Sequence, residues 1–337
     1  QLLHATEAAS VVAGGAWSKS RRTDKVDISI DDSVIGNLLA VNTREKFPTR
    51  HPRAYTYVNI RSGSTAVWTL GASYDHFEQD SFSENRVNPK LGVQWDITPA
   101  VRLRAAGFHV IKPALVSNRT LEPTQIAGFN QLFDDINGTR SKRYGIGMDW
   151  KATPDLKTGI EFTRRDLDEP LLDALASRWI TEARDERLHR LYADWTLSRR
   201  FALHSELVYD RYRSEHGIAT ADNNLPEKVV TWSVPVRLNY FDPSGVFAGL
   251  GLSWVDQTVH RSTTATQASG SDRFVVVDTS IGYRLEGRRG VISLAVKNLF
   301  DSGFRYQDDS YREFRDEPSV GPYFPERTVM TRFAVSF

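Results

Sequence analysis

The chain has 337 residues, with 43 Lys and Arg against 42 Asp and Glu for a net charge of +1, so no whole-chain field points to nucleic acid or another strongly charged partner. Cysteine is absent, which excludes disulfides and thiolate metal sites. No run of 18 or more apolar residues occurs, which excludes a transmembrane helix. It does not exclude a membrane, because strands that alternate lipid-facing and lumen-facing residues keep mean hydropathy low; here it is −0.42.

In chain order, the segment from Ala13 to Arg22, with Gly14 and Gly15, is a weak strand, and the polar stretch 23–52 is expected to be a loop. Regular alternation begins at Ala54, Thr56, Val58 and Ile60, opposed by Tyr55, Tyr57 and Asn59. It returns at Ala66–Tyr74, Leu91–Ile97 and Val101–Ala105, with turns at Ser62-Gly63-Ser64 and Thr98-Pro99-Ala100. After a break over 112–139 come Tyr144, Ile146, Met148 and Trp150, then Leu156, Thr158, Ile160 and Phe162. A second break over 166–186 precedes Leu191–Leu197 and Phe201–Tyr209. The cleanest stripe is Val230, Trp232, Val234, Val236, Leu238 and Tyr240, although Pro235 must remove one ladder hydrogen bond. Stripes at Ala248–Trp254, Val277–Leu285 and Ile292–Val296 follow; a third break, 301–325, leads to Thr328–Phe337.

Two regularities link these strands. Short turns near Ser62, Pro99, Pro154, Arg199, Pro243 and Gly287 alternate with long connections, the asymmetry of an outer-membrane barrel with periplasmic turns and extracellular loops. An aromatic recurs near the short-turn end of the apolar face, at Trp95, Trp150, Trp195, Tyr240 and Tyr283, where a periplasmic girdle belongs. The expected fold is a single all-β domain over 1–337. It is a transmembrane antiparallel up-and-down barrel of about fourteen strands, located in the bacterial outer membrane. A soluble sandwich or propeller is the alternative, but the faces opposite the stripes are rich in Gly, Ser, Thr and charges of both signs. The last strand, ending on Phe337, is expected to pair with the segment near Ala13–Trp17 and close the cylinder.

Opposite parity assigns to the lumen Arg102, Arg104, Arg143, Asp149, Glu161, Asp194, Glu206, Asp210, Arg237, Asp278, Arg284, Lys297 and Arg332. Such a wall either conducts polar solutes or fills a narrow barrel with salt bridges. The 112–139 segment, with Phe129, Asn130, Phe133, Asp134, Asp135 and Asn137, either folds inward or stays solvated at the surface. The run Phe304, Tyr306, Asp308, Asp309 and Tyr311 is acidic and aromatic, but one carboxylate pair makes no calcium cage. The histidines from His51 onward (His76, His109, His189, His204, His216, His260) are scattered, with Asp75-His76 and His204 with Glu206 as the suggestive neighbours for a barrel hydrolase. No phosphate loop or zinc spacing occurs, and no enzyme activity, cofactor or metal is expected.

Several stretches resemble the barrel of TonB-dependent outer-membrane receptors. They are Asn88-Pro89-Lys90-Leu91-Gly92-Val93-Gln94-Trp95 with its Thr-Pro turn, the Pro-containing segment Lys112-Pro113-Ala114-Leu115 through Leu121-Glu122-Pro123, Val296-Lys297-Asn298-Leu299-Phe300-Asp301 and Pro325-Glu326-Arg327-Thr328. Such receptors have a plug and about twenty-two strands, so the resemblance implies a smaller, plugless relative. The chain is also similar to plugless carboxy-terminal barrels carried behind periplasmic tetratricopeptide repeats, including exopolysaccharide exporters, and its start at Gln1 without a leader fits an excised or processed barrel. These resemblances imply passage of a polar solute or polymer. The partners they imply are outer-membrane lipid and lipopolysaccharide, the barrel-assembly machinery through Phe337, and a periplasmic domain or inner-membrane protein. A non-conducting surface-binding or anchoring barrel is the second reading and a barrel hydrolase the third.

Overall fold

A computed structural model describes residues 2–32, 37–114, 120, 122–133, 135–173, 178–215, 226–262, 268–307 and 322–335. The strands are β1 (Leu2–Ala5), β2 (Ala9–Asp32), β3 (Asn37–Ser62), β4 (Ala66–Gln79), β5 (Phe82–Thr98), β6 (Val101–Ile111), β7 (Gln125–Ile126), β8 (Phe129–Asn130) and β9 (Arg140–Lys151). They continue as β10 (Leu156–Asp173), β11 (Arg178–Thr196), β12 (Phe201–Glu215), β13 (Pro226–Phe241), β14 (Val246–Arg261), β15 (Gly270–Arg284), β16 (Gly290–Lys297) and β17 (Thr328–Val335). Fifteen form one antiparallel sheet in sequence order, while β7 and β8 pair separately. The fourteen strands read from the sequence are all present, and β1 is a short addition in front of them. Among the described residues no helix is long and apolar enough to cross a membrane.

Register shows why each segment is a strand. Trp68 faces Val93, Leu70 faces Leu91 and Tyr74 faces Val87, and the same parity continues through Met148, Ile160, Leu191, Leu207, Leu250 and Ile281. These side chains are partly or largely exposed. The opposite face carries buried Arg, Asp, Glu, Lys and Asn. An exposed apolar face and a buried polar one invert a soluble fold, and that inversion is what lipid outside and a polar lumen inside require.

Three expectations change. Segment 23–52 is an extended hairpin, paired from Thr23 with Lys46 to Asp32 with Asn37. Segment 166–186 is likewise paired, from Asp166 with Asp185 to Asp173 with Arg178. Beyond the membrane both faces of a strand are wet, so no apolar stripe marks it and ladder hydrogen bonds alone hold it. The third change is the seam. β17 pairs only with β16, and β2 pairs with β1 and β3; among the described residues no ladder joins Thr328–Val335 to Ala13–Trp17. Leu2–Ala5 takes the outer side of β2 at Ser10–Val12, which the alternation in Ala13–Arg22 gave no means of foreseeing. Phe337 and Asp308, Asp309 and Tyr311 lie outside the described residues.

Pro235 leaves its mark. The β13–β14 ladder runs through it opposite Ser253, but the β12–β13 ladder skips from Ser205–Val236 to Val208–Ser233. The missing N–H falls on the β12 side, so one ladder absorbs the whole defect.

The short turn after β13 is held by Asp242, whose carboxylate accepts the Ser244 N–H at 3.0 Å, the Tyr240 hydroxyl at 2.9 Å and Arg200 at 3.2 Å. The Ser244 contacts above all, then Tyr240 and Arg200, hold its pKa down to about 2. A depressed carboxylate contributes stability above the unfolded pKa of about 4 and loses it as pH falls through the folded value. Asp242→Ala therefore lowers the thermal midpoint at pH 7, and circular dichroism melts will show the gap closing as pH falls from about 4 toward about 2. On the lipid face, Leu70→Arg will cost about 2–4 kcal/mol in denaturant titrations, and Gln94→Arg on the inward face will cost less.

Candidate functional site: a loop-filled lumen

The described residues of segment 112–139 fold inward, which settles one alternative left open by its sequence; Asp134 lies outside them. Its tip is the β7–β8 hairpin, and Ile126 and Phe129 are fully buried against Tyr55, Tyr57, Phe108 and Val110 of the inner wall. Burial of each contributes about 1.5–3 kcal/mol. Two wall glycines provide the seats. A Cβ on Gly92 would lie 2.6 Å from Ile126 Cγ2, and one on Gly145 would lie 2.5 Å from the Phe129 ring. A bulky residue there would displace the loop, while a small one would make Ile126 or Phe129 shift within its seat.

A polar latch fixes the rest. The Glu122 carboxylate accepts hydrogen bonds from the Arg53 guanidinium and the Tyr57 hydroxyl, and lies 3.8 Å from Lys90 Nζ. Lys90 donates to Gln131 Oε1 at 2.6 Å, and Gln131 Nε2 donates to Pro123 O at 2.6 Å and to the Tyr57 oxygen at 3.2 Å. Behind it, Asp75 lies 3.5 Å from Arg53 and accepts hydrogen bonds from Ser73 at 2.9 Å and Asn88 at 2.8 Å, with His51 Nε2 at 2.9 Å. Strands β3, β4 and β5 position these groups, because Arg53, Tyr57, Asp75 and Lys90 share the inward parity. At the far end of the loop, the Phe133 ring sits between Arg143 at 4.6 Å and Arg165 at 3.7 Å, Arg165 pairs with Asp135 and Glu186, and Arg143 donates to Asn130 O at 3.0 Å. Cations over an aromatic face in a desolvated site hold strongly.

Below the loop, toward the short turns, a cavity of 630 Å³ is lined by Asp96, Arg102, Asp149, Lys157, Tyr192 and Asp194. Arg104 spans its upper side, donating to Asp149 at 2.7 Å and Glu161 at 3.2 Å, and Tyr192 also donates to Asp149. Arg190 joins Glu161 to Glu206 at 3.3 and 3.7 Å. A second inward segment follows β16. Phe304 stacks on Phe274 at 4.2 Å, with Tyr306 and Tyr323 packed around both, and Gln307 exchanges hydrogen bonds with Gln257.

All twelve of Arg102, Arg104, Arg143, Asp149, Glu161, Asp194, Glu206, Arg237, Asp278, Arg284, Lys297 and Arg332 lie on the inward face. Arg104, Asp149, Glu161 and Glu206 form one network; Asp194 pairs with His204, Asp278 with Lys297 and Arg102 with Asp96. Arg237, Arg284 and Arg332 make no ion pair among the described residues. Sequence reasoning missed Arg53, Lys90, Glu122, Gln131 and Arg165, and took Asp75 only as a hydrolase candidate. Arg53, Asp75 and Lys90 were legible as inward parity, whereas Glu122 and Gln131 required knowing where the loop lands. Trp95, Trp150, Trp195, Tyr240 and Tyr283 all lie on the outward face near the short turns. Asp75 and His76 point to opposite faces, and Ser73 donates to Asp75 rather than to His51, so no nucleophile–base hydrogen bond exists there. Among the described residues no His, Asp and Glu cluster could hold a metal ion.

The family model for the TonB dependent receptor-like β-barrel matches residues 4–299. The chain belongs to this family. It is an outer-membrane β-barrel. The FrpB iron transporter of Neisseria meningitidis is similar in structure at a TM-score of 0.68 and 13% identity, covering 100% of this chain and 54% of that one. The pyoverdine receptor FpvA of Pseudomonas aeruginosa PAO1 gives 0.64 and 13%, covering 100% and 51%, and the ferric-catecholate import receptor Fiu of E. coli K12 gives 0.62 and 14%, covering 98% and 52%. The chain thus spans about half the length of these receptors. No curated protein matches its sequence.

The latch is testable through the absence of native cysteine. Glu122→Ala leaves Lys90 buried without a carboxylate and Arg53 with Asp75 alone, a loss of about 3–5 kcal/mol. Combined with Ile126→Cys, it will raise the rate of maleimide labelling at position 126 well above that of Ile126→Cys alone.

Proposed function

We propose that the domain forms the wall and gate of an uptake pathway across the outer membrane, with the 112–139 segment as the gate. The supporting observation is the seating of that segment in a polar lumen by glycine-shaped sockets and a charged latch, above a 630 Å³ cavity. Apolar side chains hold the tip in place, but Arg53, Lys90 and Glu122 hold it through charges that a polar or charged solute can compete for. The pathway suits a hydrated or oxygen-rich anionic ligand, because Arg104, Arg143 and Arg165 approach the segment from the wall. Similarity to receptors and transporters of iron, pyoverdine and ferric catecholate favours a metal chelate as that ligand. The family match speaks for uptake rather than for the polysaccharide export that the exporter resemblance implied.

A disulfide tests the gate. A Cβ at position 92 lies 3.0 Å from Ala127 Cβ, close to the 3.5–4.5 Å that a disulfide spans. In planar bilayers, oxidised Gly92→Cys/Ala127→Cys protein will show less conductance than the same protein after reduction, and Gly145→Leu will show more than the wild type. Equal conductance in oxidised and reduced states would remove the gate. No conductance even with Gly145→Leu and Glu122→Ala combined would favour the non-conducting, surface-binding barrel.

A further inference from the structure

On the outward face of β9–β13 the side chains change character in steps of two residues away from the short turns. Ile160, Leu191 and Leu207 lie side by side. Two residues on, Phe162, His189, Tyr209 and Trp232 form a continuous aromatic ribbon across four strands, with successive ring centroids 5.1, 5.5 and 4.8 Å apart. Two residues further, Arg164, Arg187 and Arg211 stand directly opposite one another on adjacent strands. The next row holds Lys142, Asp166, Asp185, Arg213 and Lys228, in which Arg213 and Lys228 again face each other.

Like charges directly opposite across a ladder are destabilising, and this patch has four such pairs, three between cations and one between Asp166 and Asp185. The local carboxylates do not balance it. Asp185 alone serves Arg164 at 3.0 Å, Arg187 at 3.4 Å and Arg211, while Asp166 takes Arg164 at 2.8 Å. Six cations against two carboxylates leave four positive charges in excess on these two rows. The Nε atom of Arg211 has no hydrogen-bond partner, and Lys142, Arg213 and Lys228 make no ion pair among the described residues. In the row beyond, Arg140 and Asp168 neutralise each other at 3.2 Å. The excess therefore forms a band just outside the aromatic ribbon.

That band lies at the level of lipid head groups. Aromatic side chains settle at the membrane interface, and the next step outward meets the charged groups of the outer leaflet. We propose that Lys142, Arg164, Arg187, Arg211, Arg213 and Lys228 bind a phosphorylated lipid of the outer leaflet. Its phosphates lie across the arginine row and its acyl chains lie along Ile160, Leu191 and Leu207. Guanidinium groups suit phosphate because their planar forks donate two parallel hydrogen bonds to it. The apolar and aromatic rows beneath supply what a soluble anion would not use. One bound diphosphoryl head group would relieve the opposed charges without a further carboxylate.

The test uses the whole chain in detergent micelles, with native mass spectrometry as the readout. Diphosphoryl lipid A, dephosphorylated lipid A and sodium pyrophosphate are the probes. Diphosphoryl lipid A will bind at least about tenfold more tightly than its dephosphorylated form, and Arg164→Ser/Arg187→Ser/Arg211→Ser will lose that preference. Arg273→Ser, on the outward face of β15, will retain it. Heat-modifiable gel migration checks folding, and should the triple variant fail it, Lys142→Ser/Lys228→Ser decides, with a smaller loss expected. Equal binding of the two lipids, or an unchanged preference in the folded variants, overturns the proposal. So does displacement of the lipid by pyrophosphate at equal concentration, which would reveal a simple anion site.

Discussion

A peptide N–H or C=O facing hydrocarbon has no water to turn to, so every strand that crosses must satisfy its backbone through its neighbours. This constraint explains the long unbroken antiparallel order of the sheet, and it dictates the alternation of side chains. Once the backbone is spent on the ladder, each residue can only choose between lipid and lumen. Leu70, Met148 and Leu250 take one side, and Asp75, Arg104 and Asp149 the other. The interruption at Pro235 shows how little tolerance remains, since its effect is confined to two steps of a single ladder.

The lumen presents the opposite problem. Its wall is so densely charged that leaving it unmatched in a narrow space would be costly, and matching it with wall carboxylates alone would make a rigid plug. The chain brings its own polar filling instead, on the segment seated inside it. Glu122 closes the charge balance around Arg53 and Lys90, and Asp135 does so for Arg165. Hydrophobic seats at Gly92 and Gly145 make the inserted position a definite one rather than a loose collapse. Shape decides where the segment sits, and charge decides how readily it stays.

Legibility in the sequence followed the environment of each residue. Where lipid lies on one side and polar groups on the other, as at Trp232–Tyr240, the period-two stripe is clear and the strands fall where expected. Where water bathes both sides, as at 37–52 or 178–186, nothing in residue type separates a strand from a loop, and two long hairpins stayed hidden. The edge of the sheet was equally opaque, because Leu2–Ala5 pairs through its backbone and carries no stripe long enough to recognise. Inward parity found Arg104, Asp149 and Glu161, but not that they converge, because register across three strands cannot be read from any one of them. The loop's aromatics were visible; their sockets were not, since a glycine in a strand has many uses.

The β2–β3 hairpin carries one further meaning. β3 has 26 residues, and about ten suffice to cross the bilayer, so about sixteen remain outside. At about 3.3 Å per residue that is an arm of roughly 50 Å standing off the cell surface. The same continuous strand that lifts this arm into the carbohydrate layer also carries Arg53 and Tyr57, the two groups that grip Glu122. Whatever leans on the arm, whether a neighbouring molecule or a bound particle, loads the strand from which the loop hangs.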